Sequence, residues 1–236
     1  MIVSPEVETA PWEDQLAADD PAYRAQVAYL LDRSAFYRAK LAAAGIESAA
    51  SVGGLAAITS LPLTTKDELR RTATAANPVG THLCVERRAI ARIYSTSGTT
   101  GAPSYIPLTA QDLENWVTGS ARSYAASGFA RGERIVSTYN AGPFVAGAAL
   151  AGFDRAGLCH IPVGTGNTER LMLAIERLRP EAAVLTPSYA AYALDWAAER
   201  GIDLAASSVR RVLVAASPAA ASLPSVPASR RAGERR

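Results

Sequence analysis

Apolar residues recur at helical spacing early in the chain and in short alternating blocks later. Between residues 22 and 44, Tyr23, Val27, Leu30 and Leu31 fall three and four apart, the stripe of a helix with one buried face. A second short helix is expected from Phe36 to Ala44, ending at Gly45. In LPLTTKDELRR (61–71), Thr65 and Glu68 have the spacing of a capping box, so a helix should begin just after Thr65. RRAIARIYSTSGTTG (87–101) reads as a strand running into a glycine-bearing loop. Thr109 and Asp112 repeat the capping-box spacing, with Asp in place of the usual Glu or Gln. They open a helix through Leu113, Trp116 and Val117.

From residue 134 the pattern becomes regular. Arg134–Asn140, Leu158–Val163, Ala182–Thr186 and Arg211–Ala215 are expected strands. Pro143–Ala156, Thr168–Arg179 and Ser188–Arg200 are expected helices between them, the second with Leu171, Ala174, Ile175 and Leu178 on one face. Strand and helix alternating at this spacing predict an α/β fold with a mostly parallel sheet built from βαβ crossovers. Three regions follow: a helical N-terminal segment (1–80), an α/β core containing the glycine-bearing loop (81–215), and a tail (216–236). In the tail 17 of 21 residues are Ala, Ser, Pro or Arg. Without apolar periodicity it cannot bury a face, and it is expected to be disordered.

Composition narrows the class. The 236 residues are 49% hydrophobic and 19% charged, a globular profile. The net charge of +2 is too small to argue for nucleic acid or an anionic membrane as partner. Cys84 and Cys159 give no disulfide framework and no metal-binding spacing, which fits a reducing cytoplasm. The acidic start MIVSPEVETAPWEDQ lacks the basic and apolar regions of a signal peptide. The longest apolar run, Gly142–Gly152, is about half the length needed to span a bilayer.

The chemistry concentrates at Ser95-Thr96-Ser97-Gly98-Thr99-Thr100-Gly101-Ala102-Pro103. Glycines let backbone N–H groups approach an anion, and hydroxyls add short donors without bulk, so such a loop can wrap polyphosphate oxygens. The plain alternative is a polar surface turn. It is not a Walker loop, because no lysine follows Gly101. Gly164-Thr165-Gly166 follows a strand, but Glu169 stands where a dinucleotide fingerprint needs its third glycine, and Asn167 and Thr168 read as a helix cap. Cys159 and His160 are adjacent in a strand and point to opposite faces, so they form no dyad. They, with His82 and Cys84, read as structural, and Lys66 and Arg70 read as a solvated helix face.

The order of that loop resembles the phosphate loop of adenylate-forming enzymes, and within them the phenylacetate–coenzyme A ligase family. Ser34-Ala35-Phe36-Tyr37-Arg38, Leu61 to Arg70, Gly164 to Arg170 and Thr186-Pro187-Ser188-Tyr189 also carry the resemblance, which spans roughly residues 5–215. It implies the N-terminal part of the large domain of an aryl-acid–CoA ligase. In that reaction a carboxylate attacks the α-phosphorus of ATP and pyrophosphate leaves. The thiolate of coenzyme A then displaces AMP from the acyl-adenylate. ATP, Mg²⁺ and coenzyme A are the implied cofactors, and a small aromatic acid the implied substrate. Ser95, Thr96, Ser97, Gly98, Thr99, Thr100 and Gly101 would grip the β- and γ-phosphates. Tyr139-Asn140-Ala141-Gly142-Pro143-Phe144 matches the family's acyl-pocket motif, so Tyr139 and Phe144 either flank an aryl ring or are core aromatics. Gly147 either leaves room for a flat substrate or serves helix packing.

The sequence departs from the family after residue 214. Where the family has Gly-x-Glu-Pro against adenine, this chain has Ala215-Ala216-Ser217-Pro218. Ala216–Leu223 is what a GC-rich gene for Gly-Glu-Pro-Gly-Gly-Gly-Glu-Pro would encode one base out of register, which suggests a frameshift near residue 215. A natural low-complexity tail is the alternative. A chain truncated there is expected to be inactive by itself, to need a missing C-terminal portion, or to self-associate through an uncovered sheet edge. A non-catalytic remnant or partner-binding fragment of the same fold is the competing reading.

Overall fold

The computed structural model describes residues 1–96, 104–139 and 146–215. The chain forms two compact units. One comprises the described residues up to 131 together with 146–157, and the other comprises 132–139 and 158–215.

The first unit begins with helices α1 (Pro5–Glu8), α2 (Trp12–Arg33) and α3 (Ala35–Ala43), a 3-10 turn at Leu55–Ser60, and helix α4 (Lys66–Arg71). The sequence reading starts α2 after Pro21, but the helix runs ten residues further back, with Pro21 inside it. A proline in a helix interior removes one hydrogen bond and normally costs about 3 kcal/mol. Here Asp20 ties that turn in place, accepting from Arg24 Nε at 2.7 Å and from Leu55 N–H at 2.6 Å. Val27, Leu41, Ile46 and Val52 form the small core of this region. Ser34, fully buried, caps α3 by accepting from Tyr37 N–H, and Arg38 reaches back to the carbonyls of Leu31 and Asp32 at the end of α2. These contacts give the Ser34–Arg38 motif a structural reason. Both sequence-predicted capping boxes form, Thr65/Glu68 at α4 and Thr109/Asp112 at α5 (Ala110–Ala126). Helix α6 (Ala146–Arg155) packs on α5, with Tyr124 and Phe153 stacked 4.3 Å apart. Gly152 makes this approach close: a Cβ there would sit 2.6 Å from Ser120 Cβ.

Two antiparallel strands also belong to this unit, β1 (Ile90–Ser95) and β2 (Tyr105–Thr109). The sequence reading misses β2. Pro107 argues against a strand in sequence, yet it is tolerated here because a two-stranded sheet is all edge.

The second unit holds strands β3 (Arg134–Ser137), β4 (Cys159–Pro162), β5 (Ala182–Leu185) and β6 (Arg211–Val214), with helices α7 (Thr168–Leu178) and α8 (Pro187–Ala198). The sheet is entirely parallel, in the order β4-β3-β5-β6, so the predicted α/β class with a parallel sheet is the one observed. All four residues of β5 are buried, as a strand covered on both faces requires. Val136, Leu171, Met172, Ile175 and Leu185 are in the core. Leu178, assigned to the buried face of α7 by periodicity, is 48% exposed because the helix ends there, at Arg179 with a left-handed φ of 48°.

Candidate functional site: a loop stem beside a cavity, and a sheet edge

Residues 96–104 join β1 to β2. Ser95, Thr96 and Ser104 are described. Ser97, Gly98, Thr99, Thr100 and Gly101 lie outside the described residues. The strand ladder extends past the Ser95–Tyr105 pair into the stem: Thr96 N–H donates to Ser104 O at 3.0 Å, and Ser104 N–H donates to Thr96 Oγ1 at 3.2 Å. Thr96 therefore closes the loop with both its backbone and its hydroxyl.

A third element reaches this stem. Arg70, on α4, donates from Nε to Ser104 Oγ at 3.3 Å and from Nη1 to Asp67 Oδ1 at 3.4 Å. Its side chain is 26% exposed, against 75% for Asp67. The sequence reading of Arg70 as part of a solvated face is corrected here. Helical periodicity shows which residues share a face, but it cannot show that a hairpin distant in sequence packs against that face. Lys66, one turn earlier, is exposed as expected. Helix α4 is itself fixed: Glu68 caps it through Thr65 and is ion-paired with Lys40. Lys40 first, and then Thr65, holds the Glu68 carboxyl down to about 2 from 4.5.

Beside the stem lies a cavity of about 1070 Å³. Thr96, Ser104, Lys66 and Arg70 supply its polar edge, with Leu69 and Ile106 among its apolar lining. Residues 73–85 also border it. This segment is pinned by Tyr29 OH donating to Cys84 O at 2.9 Å, and by the contact of Thr72 with His82 at 2.9 Å. Thr72 gives its one hydroxyl proton to Leu69 O, so Nδ1 of His82 carries the hydrogen in that contact. Burial lowers the His82 pKa and raises that of Cys84. Gly80 has a φ of 93°, and a Cβ there would fall 2.2 Å from Thr72 Oγ1, so only glycine fits.

In the second unit all strands run the same way, but the order of their addition across the sheet reverses at β3, with β4 on one side of it and β5 on the other. The carboxyl ends of strands flanking such a switch point are where open α/β sheets take ligands. Tyr139 stands there, half-buried. Its hydroxyl lies 3.0 Å from Leu185 O and 3.1 Å from Ala215 O, so it bridges the ends of β5 and β6. Burial raises its pKa. Of the other expected acyl-pocket residues, Phe144 lies outside the described residues, and Gly147 is in α6 of the first unit, next to the buried Ala148. His160 contacts the fully buried Ser137 at 2.7 Å, while Cys159 is exposed. Among the described residues no group of three or more His, Cys, Asp or Glu could hold a metal ion, so nothing in them places the implied Mg²⁺. Nor is any described helix long and apolar enough to cross a membrane.

No protein-family model matches the chain. It is 34% identical over 219 residues to the phenylacetate–coenzyme A ligase of Thermus thermophilus, covering 92% of this chain and 48% of that protein. With the enzyme of the same name from Escherichia coli it shares 31% identity, over 78% of this chain and 41% of the relative. The chain belongs to the phenylacetate–coenzyme A ligase family of adenylate-forming enzymes.

This family member spans about half the length of the curated relatives it matches. Among solved structures, 2-hydroxyisobutyryl-CoA ligase in complex with 2-HIB-AMP and CoA superimposes with a TM-score of 0.76 at 27% identity, over 84% of this chain and 42% of that one. An open conformation of the same enzyme gives 0.75 at 25% identity, over 84% and 46%. Both superpositions agree with the α/β fold described above.

Proposed function

We propose that the chain carries the ATP-gripping part of an AMP-forming ligase, which activates an aromatic carboxylic acid as its acyl-adenylate and passes it to coenzyme A. The observation that carries this reading is the hydroxyl- and amide-closed stem at Thr96 and Ser104, opening beside a cavity with a cationic edge. The departing pyrophosphate gathers negative charge as the carboxylate oxygen bonds to the α-phosphorus. Donors fixed in advance at Ser95 to Gly101 would stabilise that charge without reorganising. Coenzyme A thiolate would then attack the acyl carbonyl, and AMP would leave. Tyr139 and Phe144 are proposed to face the acid, with Gly147 giving room. Mg²⁺ is proposed to accompany the ATP.

Ala215-Ala216-Ser217-Pro218 stands where the family resemblance implies an adenine-contacting Gly-x-Glu-Pro segment. On that ground these 236 residues are proposed to bind ATP without completing turnover, with a non-catalytic fragment of the same fold as the second reading. A pyrophosphate-release assay tests both. The panel holds phenylacetate, benzoates and 2-hydroxyisobutyrate, with and without a polypeptide carrying the rest of a family ligase. Release with aromatic acids only when the second polypeptide is added is the expected result. Release from this chain by itself would contradict the proposed inactivity, and release favouring 2-hydroxyisobutyrate would contradict the aromatic substrate. No release in any arm, with ATP binding intact, would favour the fragment reading.

A further inference from the structure

The loop from Ser95 to Ser104 contains no lysine or arginine. An anion gripped by neutral amides and hydroxyls keeps most of its charge, and a polyphosphate carries several. The cation that reaches the described end of the loop comes from another element: Arg70 on α4, donating to Ser104 Oγ at 3.3 Å. We propose that Arg70 is a positioning residue for polyphosphate binding, which sets the Ser104 end of the loop and supplies the positive charge that the loop lacks. The proposal rests on the phosphate-loop reading above.

Four features fit this role better than a purely structural one. The guanidinium is three-quarters buried at the rim of a cavity, where water screens its field less than at a free surface. Its acidic neighbour competes weakly, since Asp67 is 3.4 Å away and largely solvated. Ser104 also belongs to the clasp with Thr96, so a force on its hydroxyl acts on the residue whose backbone closes the loop. Helix α4 is held by its own capping box and by the Lys40–Glu68 pair, which makes it a stiff base for the arginine.

Titration of the full chain with ATP and with AMP, across a series of KCl concentrations, tests the proposal. Wild type should prefer ATP. Arg70→Ala should weaken ATP by about 10- to 100-fold, the range for a lost charge-assisted hydrogen bond, and AMP far less. It should also flatten the salt dependence of ATP binding. Arg70→Lys should keep most of the salt slope while losing part of the affinity, because an ammonium lacks the fork of donors. Ser104→Lys in the Arg70→Ala background should restore ATP preference by returning a cation to the stem. Arg88→Ala, which removes an arginine with 87% side-chain exposure, should leave the slope unchanged and controls for net charge. Thermal melts of every variant identify any that fail to fold, and Arg70→Lys and the double variant carry the test if Arg70→Ala does. If wild type prefers ATP and Arg70→Ala retains both the affinity and the slope, the role of Arg70 is wrong while the phosphate-loop reading stands. Equal losses for ATP and AMP, with no rescue by Ser104→Lys, would make Arg70 structural and overturn the proposal. A wild type indifferent to ATP over AMP removes the phosphate-loop reading, and the role of Arg70 with it.

Discussion

The parallel sheet and the loop stem are held together by different forces. The sheet is an apolar assembly: Ile135 and Val136 are fully buried, β5 has no exposed residue, and Leu171 and Ile175 cover it from α7. Its polar ties sit at the strand ends, with Glu181 and Arg134 at one end and Tyr139 at the other. The stem has little such burial. It is closed by Thr96 and Ser104, braced by a charge from α4, and borders a cavity. Burial makes a rigid support but leaves no polar group available. The stem keeps donors at a surface, and it needs neighbours to fix them. Candidate chemistry lies where hydrogen bonds, not packing, set the geometry.

That contrast can be broken by mutation. The largest effect expected is Leu171→Ala. It removes a side chain 1% exposed and should cost roughly 3 kcal/mol of stability, read as a lower urea midpoint. Nucleotide affinity of the remaining folded protein should barely change. Thr96→Val should do the reverse, lowering stability by about 1 kcal/mol or less while weakening ATP several-fold. If both variants changed stability and binding in proportion, the two regions would not be separable.

A smaller effect sharpens the comparison at the polar end of the sheet. Tyr139→Phe removes the hydroxyl shared by Leu185 O and Ala215 O, and should cost about 1 kcal/mol. Hydrogen exchange should rise at the ends of β5 and β6 and remain unchanged in β1 and β2. Exchange rising equally across both sheets would mean that the hydroxyl supports the whole fold and not this edge.

The smallest effect is a pH dependence. Arg134 holds the Glu181 carboxyl down to about 2 from 4.5, and Lys40 does the same for Glu68. Both are lower in the folded than in the unfolded chain. Their stabilisation is therefore complete above pH 4.5 and is lost as the pH falls towards 2. The Arg134–Glu181 pair is a third or more exposed, so solvent screening should keep its share of the change modest. Melting temperature should decline over that window, and Glu68→Gln with Glu181→Gln should flatten the decline. An unchanged acid slope in the double variant would show that other carboxylates control it.

Much of this was legible in the sequence, for local reasons. Capping boxes are contained within four residues, so Thr65/Glu68 and Thr109/Asp112 could be read directly. The four parallel strands announced themselves as short apolar blocks between helices. What stayed hidden depends on contacts distant in sequence. Trp12–Asp20 is helical across Pro21 because Asp20 meets Leu55. Tyr105–Thr109 is a strand despite Pro107 because Ile90–Ser95 pairs with it. Arg70 belongs to the loop stem because Ser104 folds back onto α4. The strand order β4-β3-β5-β6, which places Tyr139 at the switch point, also has no local signature.

The loop beginning at Thr96 is proposed to recognise the terminal phosphates of ATP. Calorimetric titration of the full chain with ATP and AMP, repeated with Gly98→Val, tests it most directly. The claim predicts at least tenfold tighter binding of ATP than of AMP in wild type, and loss of that preference in Gly98→Val with AMP binding little changed. Equal affinities in wild type, or a preference that survives Gly98→Val, would contradict it.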